Sequence, residues 1–277
     1  MPDDKKKHDI IKITNKNIEQ LSSMLVQKQS KDSNVEIHID IDPNLVTTDF
    51  CPKIKDFGNK DTPNVYIHGK TELITENCNV VVLDEAFVYN NNSTVTAKNK
   101  ASVFSNNNGR TFAREDSSVF ATDNSYVEAF DRAFIIARGY TKVFAFNNSA
   151  VVAKDNSNIK LYDKAYADCY NNTTVITNNK SFAHIYDNNE IELKMPNRKI
   201  VATGNSIITA YGHVKIIALQ KSTVHAHNLC EIDAKDLASV IAHDRVTVNL
   251  YDRAEAVTSD LPSRVIINNF KSKKETP

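Results

Sequence analysis

Asp168 and His184 stand sixteen residues apart, and so do His227 and His243, with His225 two places before His227. A carboxylate beside an imidazole can fix its tautomer and make it an acid or base. Three imidazoles brought together can hold Zn²⁺ and leave its fourth position to water. Asp168 and His184 are therefore candidates for acid/base chemistry, and His225, His227 and His243 for a metal site, with Tyr211 nearby. Both require a scaffold that sets residues sixteen apart side by side.

The sequence carries that spacing through most of its length. From Ser93 it divides into octads, among them SSVFATDN, SYVEAFDR, AFIIARGY, TKVFAFNN and SAVVAKDN, and runs unbroken to SFAHIYDN. A nine-residue unit, NEIELKMPN, follows, and octads resume at Arg198 and continue through STVHAHNL and ASVIAHDR to AEAVTSDL. Backwards, with two units shortened to seven, the frame reaches PNVYIHGK at Pro63. Self-similarity at a short fixed period is the mark of a solenoid.

Within an octad the first position is small, the third is Val or Ile, the fifth is mostly Ala and the seventh is Asp, Asn or Gly. Period-two alternation predicts a short strand with its odd positions inward, and the Asn, Asp or Gly predicts a tight corner. Two octads then close one coil of about sixteen residues, so that equivalent strands lie about 4.8 Å apart in two facing parallel sheets. An antiparallel meander would also alternate, but it would not demand alanine at one fixed place. The expected fold is all-β: a two-sided parallel β-solenoid over residues 63–269. Residues 1–62 are expected to form an N-terminal α/β cap, with Ile18, Leu21, Met24 and Leu25 at helical spacing and VEIHIDIDP alternating as a strand. Residues 270–277, FKSKKETP, read as a disordered tail.

Alternating octads between faces sorts the outward residues. One face collects Phe104, Phe120, Phe134, Ile136, Val152, Tyr166, Tyr170, Phe182 and Tyr186, continued by Val201, Ile217 and Leu219. Such an apolar stripe is expected to meet a partner, a second copy of the chain being the simplest, although stacked aromatic ladders also stabilise a sheet by themselves. The other face mixes Arg110, Phe112, Arg114, Phe130, Phe144, Phe146 and Tyr162, and the histidine trio falls on it in this frame. Basic and aromatic residues interleaved could receive a protein partner or stack against sugars.

Composition narrows the classes. Lys+Arg and Asp+Glu balance at 34 each, which disfavours a nucleic-acid role. No run of 18 apolar residues occurs, and the charged start MPDDKKKHDII lacks a signal-peptide core, so the expected place is the cytoplasm or a particle such as a virion, not a membrane. Cys51, Cys78, Cys169 and Cys230 lack CxxC spacing and read as buried thiols. The outward acids Glu128, Glu192 and Asp233 do not converge, and the constant octad leaves no loops to wall a cleft. The expectation is a non-enzymatic scaffold without cofactor that self-associates and offers its mixed face to a partner. A carbohydrate-binding or carbohydrate-active β-helix is the alternative.

Units such as SYVEAFDR, SAVVAKDN and SIITAYGH resemble the SATVxAYD or SATVxAYG repeats of bacterial and phage β-solenoid proteins. The resemblance spans roughly Pro63 to Asn269 and implies the architecture, without catalytic residues. Bactofilin-like filament formers are a more distant comparison, similar in having a cytosolic β-solenoid core without long loops.

Overall fold

The computed structural model describes residues 9–14, 35–42, 53–55, 65–171, 173–186, 200–258 and 264–270. The chain divides into two compact units, Met1–Val127 and Glu128–Pro277. Each is a two-sided parallel β-solenoid, and no described residue is helical.

In the first unit one sheet, here the Thr94 sheet, stacks Asp9–Ile13, Val35–Asp40, Val65–His68, Asn79–Val82, Thr94–Ala97 and Arg110–Ala113. Its Phe104 sheet stacks Lys53–Lys55, Glu72–Glu76, Phe87–Asn91, Ser102–Asn106 and Ser118–Ala121. The strand expected in VEIHIDIDP is Val35–Asp40, and it pairs in parallel with Val65–His68, so the ladder begins before Pro63. The helix expected around Ile18 to Leu25, and Cys51, lie outside the described residues.

In the second unit the Lys142 sheet runs from Lys142–Ala145 through Asn158–Leu161, Thr174–Thr177, Ile200–Ala202, Lys215–Ala218, Glu231–Ala234 and Thr247–Leu250 to Ile266–Asn269. The Phe134 sheet runs from Phe134–Ala137 through Ala150–Ala153, Tyr166–Tyr170, Phe182–Tyr186, Ile207–Tyr211, Thr223–Ala226 and Ser239–Ala242 to Glu255–Thr258.

Each octad position has a physical task. The third and fifth positions build the core: Ile135, Val143 and Val151, and Ala137, Ala145 and Ala153, have no exposed surface. Burial of a Val or Ile side chain contributes roughly 1.5–3 kcal/mol. The first position is equally buried, and its hydroxyl needs a partner there. Ser125, Ser149, Ser181 and Ser222 each donate to the carbonyl three residues earlier, at 2.6, 2.7, 2.7 and 2.8 Å, and so tie the preceding corner. Cys78 and Cys230 take this position and Cys169 the fifth; all three are buried and none is in a disulfide.

The seventh position departs from the expectation that odd residues point inward. It lies on the corner in the left-handed region, with φ of 58° at Asp131, 56° at Asn147 and 55° at Asp163. Its side chain accepts from the backbone N–H of the same corner one coil earlier, as Asp163 does from Asn147 at 3.3 Å and Asp236 from Gln220 at 2.9 Å. Asp and Asn thus tolerate the backbone and bridge successive corners. Gly204 fills the same place, where a Cβ would sit 2.7 Å from the Asn179 nitrogen.

The nine-residue unit changes the assignment of faces. Val175 pairs with Ile200 and Ala183 with Ile208, so each sheet crosses NEIELKMPN without losing its turn in the alternation. Counting that unit as half a coil exchanges the faces of everything after it. Val201 and Ile217 therefore lie on strands of the Lys142 sheet, with Leu219 just past one, and not on the aromatic face. The histidine trio lies on the Phe134 sheet, not on the mixed face.

Candidate functional site on the Phe134 sheet

Parallel register turns each outward octad position into a row running from coil to coil. The central row of the Phe134 sheet is Ile136, Val152, Asp168, His184, Thr209, His225, Ile241 and Val257, each the direct ladder partner of the next. To one side lie Phe134, Ala150, Tyr166, Phe182 and Ile207 in the same register. Phe134 and Ile207 keep 40% and 39% of their surface exposed.

Asp168 and His184 meet as the sixteen-residue spacing predicts. His184 Nδ1 donates to Asp168 Oδ1 at 3.2 Å, and the Tyr166 hydroxyl donates to the same oxygen while lying 3.1 Å from His184 Nδ1. Phe182 meets the His184 ring edge-on at 4.7 Å and stacks on Tyr166 at 5.7 Å. Burial, and then the Asp168 carboxylate, hold the Tyr166 phenol well above its ordinary range; burial and Asp168 also raise Tyr186. The cluster can keep an imidazole oriented. Its phenol is far from ionising, and Asp168 is occupied by two donors.

The other flank is a column of rings. Tyr170 and Tyr186 stack at 5.1 Å, Tyr186 and Tyr211 at 5.5 Å, Tyr211 and His227 at 4.6 Å, and His227 and His243 at 4.1 Å. Lys154 Nζ covers the Tyr170 ring at 5.5 Å. Ring faces are therefore spent on one another and rims face outward, which leaves little of the open aromatic surface that a sugar ring would stack upon. The His227 and His243 rings lie nearly parallel, 11° apart. Among the described residues no three His, Cys, Asp or Glu side chains are grouped to hold a metal ion.

His225 lies beside this column. Burial and nearby His243 push its imidazole below its ordinary value. A histidine whose pKa is lower folded than unfolded stabilises the fold above the unfolded value, near 6.5, and loses that contribution as pH falls through the folded value. At dilutions where the chain is a single copy, thermal stability is expected to fall below about pH 6.5, and more shallowly in His225→Gln. Parallel curves for the two proteins would remove His225 from that dependence.

The other expected residues are placed as follows. In the first unit Phe104 stacks on Phe120 at 5.3 Å with Tyr89 6.1 Å away, and Arg110 lies 4.7 Å over Phe112 and 4.9 Å over Tyr126, with Arg114 just past the Arg110–Ala113 strand. In the second unit Phe146 stacks on Phe130 at 5.0 Å and on Tyr162 at 4.8 Å, while Lys160 lies 5.1 Å over Phe144. Sequence reasoning missed the length of the Tyr–His column, because the exchanged faces split it after Tyr186. It also missed His38 and His68 in the first unit, whose Nδ1 and Nε2 lie 2.8 Å apart. Ile37 pairs with Val65, twenty-eight residues on, so no fixed period relates those histidines.

No protein-family model, curated protein or solved structure matches the chain.

Proposed function

We propose that the chain is a non-enzymatic scaffold that assembles by packing the Phe134 sheets of two copies face to face. The observation that carries this reading is the composition of the central row: Ile136 and Val152 at one end, Ile241 and Val257 at the other, and Asp168, His184, Thr209 and His225 between. The row is self-complementary. A two-fold axis in the plane between two such faces, parallel to the strands and level with the gap between Phe182–Tyr186 and Ile207–Tyr211, reverses the coil order. It sets Ile136 over Val257, Val152 over Ile241, Asp168 over His225 and His184 over Thr209 of the second copy, with Phe182 over Ile207 beside them. This is an isologous contact of apolar ends around a polar centre, built like the two sheets of a sandwich.

Two further points support it. The polar groups of the Tyr166–Asp168–His184 cluster already bond one another, which lowers the cost of covering them. The chain's net charge of zero sets no overall repulsion between copies. The Arg110, Phe112 and Tyr126 group of the first unit and the Phe130, Phe146 and Tyr162 stack of the second remain outside this contact as surfaces for a protein partner.

A charge exchange tests the reading and its register together. Val152→Asp alone, and Ile241→Lys alone, are each expected to weaken association by about a hundredfold or more, since each buries an unpaired charge. The V152D/I241K double variant is expected to regain much of it, because the two charges of different copies then face each other. Loss that persists in the double variant would contradict the register, and single variants that associate like the wild type would contradict the surface.

A further inference from the structure

Resting on that reading, we infer that assembly through the Phe134 sheet is driven by proton uptake, with Asp168 as the group that calls for the proton and His225 of the second copy as the group that takes it. The Asp168 carboxylate lies near the middle of a patch whose other charged side chains stand toward its edges, Arg138 and Lys154 just past their strands and Glu255 at the far end of the row of Phe134; Val152 precedes it in its row, and Phe182 stacks on the Tyr166 that donates to it. With neutral histidines the cluster carries one negative charge, and face-to-face packing withdraws two such carboxylates from water, one from each copy. Protonating His225 neutralises each cluster across the contact, because the two-fold axis sets it opposite the second copy's Asp168.

Beside Asp168 stand Tyr166 and Tyr170 on its own strand, Lys154 at the end of the preceding one, and His184 and Tyr186 on the next. Around His225 stand Tyr211 on the preceding strand, His227 just past its own, and His243 just past the following one, with His213, Asp244 and Arg245 at the corners. No carboxylate of the neighbouring strands Ile207–Tyr211 and Ser239–Ala242 is available to pair with His225 within one copy. In the isolated copy its protonation is opposed by burial and by His243. The second copy's Asp168 supplies the missing counter-charge. Under the same axis Lys154 faces the second copy's His243. Acidification thus loosens the single copy and tightens the pair, through the same imidazole.

Sedimentation equilibrium of the full chain between about pH 8 and about pH 6, the range over which histidines titrate, tests this. The dimer dissociation constant of the wild type is expected to fall about tenfold per pH unit for each proton taken up. Asp168→Asn removes the demand: its dimer is expected to be tighter than the wild type at the alkaline end and to weaken on acidification, reversing the slope, since any imidazolium then lies unpaired in the contact. His225→Gln, which leaves the Tyr166–Asp168–His184 bonds in place, is expected to keep the fold and flatten the slope. A wild-type dimer of constant strength, or an Asp168→Asn slope equal to that of the wild type, overturns the proton linkage and leaves the assembly reading intact. A wild type that is monomeric at every pH overturns the assembly reading itself.

Discussion

Ala153→Leu is expected to lower the unfolding free energy by about 1–3 kcal/mol, and by more if the coil cannot spread. Ala153 has no exposed surface and stacks in register between Ala137 and Cys169, which are also fully buried. Strands on either side are fixed at about 4.8 Å by their ladder bonds, so the added methylenes can be received only by parting the two sheets. Parting them would strain the corners, where Ser149 O–H ties to the Phe146 carbonyl at 2.7 Å. Leu161 shows that the fifth position can hold a leucine, but there the ladder neighbours are Ala145 and Thr177, both small. On the outward side Phe144→Ser is expected to shift stability by about 1 kcal/mol or less, because Phe144 is only half-buried and covered by Lys160. Denaturant midpoints for the two variants measure the contrast. A larger loss for Phe144→Ser than for Ala153→Leu would mean that the inward and outward positions are exchanged.

Asp163→Val separates the two tasks of the corner residue. At φ of 55° a β-branched side chain meets the following carbonyl, at roughly 1–2 kcal/mol, and valine cannot accept the Asn147 N–H that Asp163 Oδ2 receives at 3.3 Å. Asp163→Gly loses only the acceptor, at an exposed corner where water replaces it. Asp163→Asn retains both backbone tolerance and acceptor. The expected stability order is wild type and Asn together, then Gly, then Val, read from thermal midpoints. If Gly and Val fall by the same amount, the side-chain ladder, and not the left-handed backbone, is what selects Asp and Asn at this place.

The repeat made the core legible from sequence because each inward position answers to one constraint: Val or Ile where a strand needs a buried branched side chain, Ala where the sheets are closest, and Ser where a corner carbonyl needs a donor. The meeting of Asp168 with His184 and of His227 with His243 was equally legible, since a constant sixteen-residue coil converts spacing into adjacency. What the period could not reveal was the role of NEIELKMPN, a unit near the right length for half a coil that neither sheet uses as one. One miscounted unit moved His225 to the opposite face and hid the symmetry of the central row. The strand Asp9–Ile13 escaped for a related reason: DIIKI is short, and twenty-six residues separate Asp9 from its partner Val35.

The most direct measurement is the solution mass of the wild type beside the Ile136→Asp, Ile241→Asp double variant, by light scattering, with far-UV circular dichroism confirming that both are folded. Assembly through the Phe134 sheet predicts a dimer for the wild type and a folded monomer for the variant. A monomeric wild type, or a variant that dimerises as well as the wild type, would contradict it.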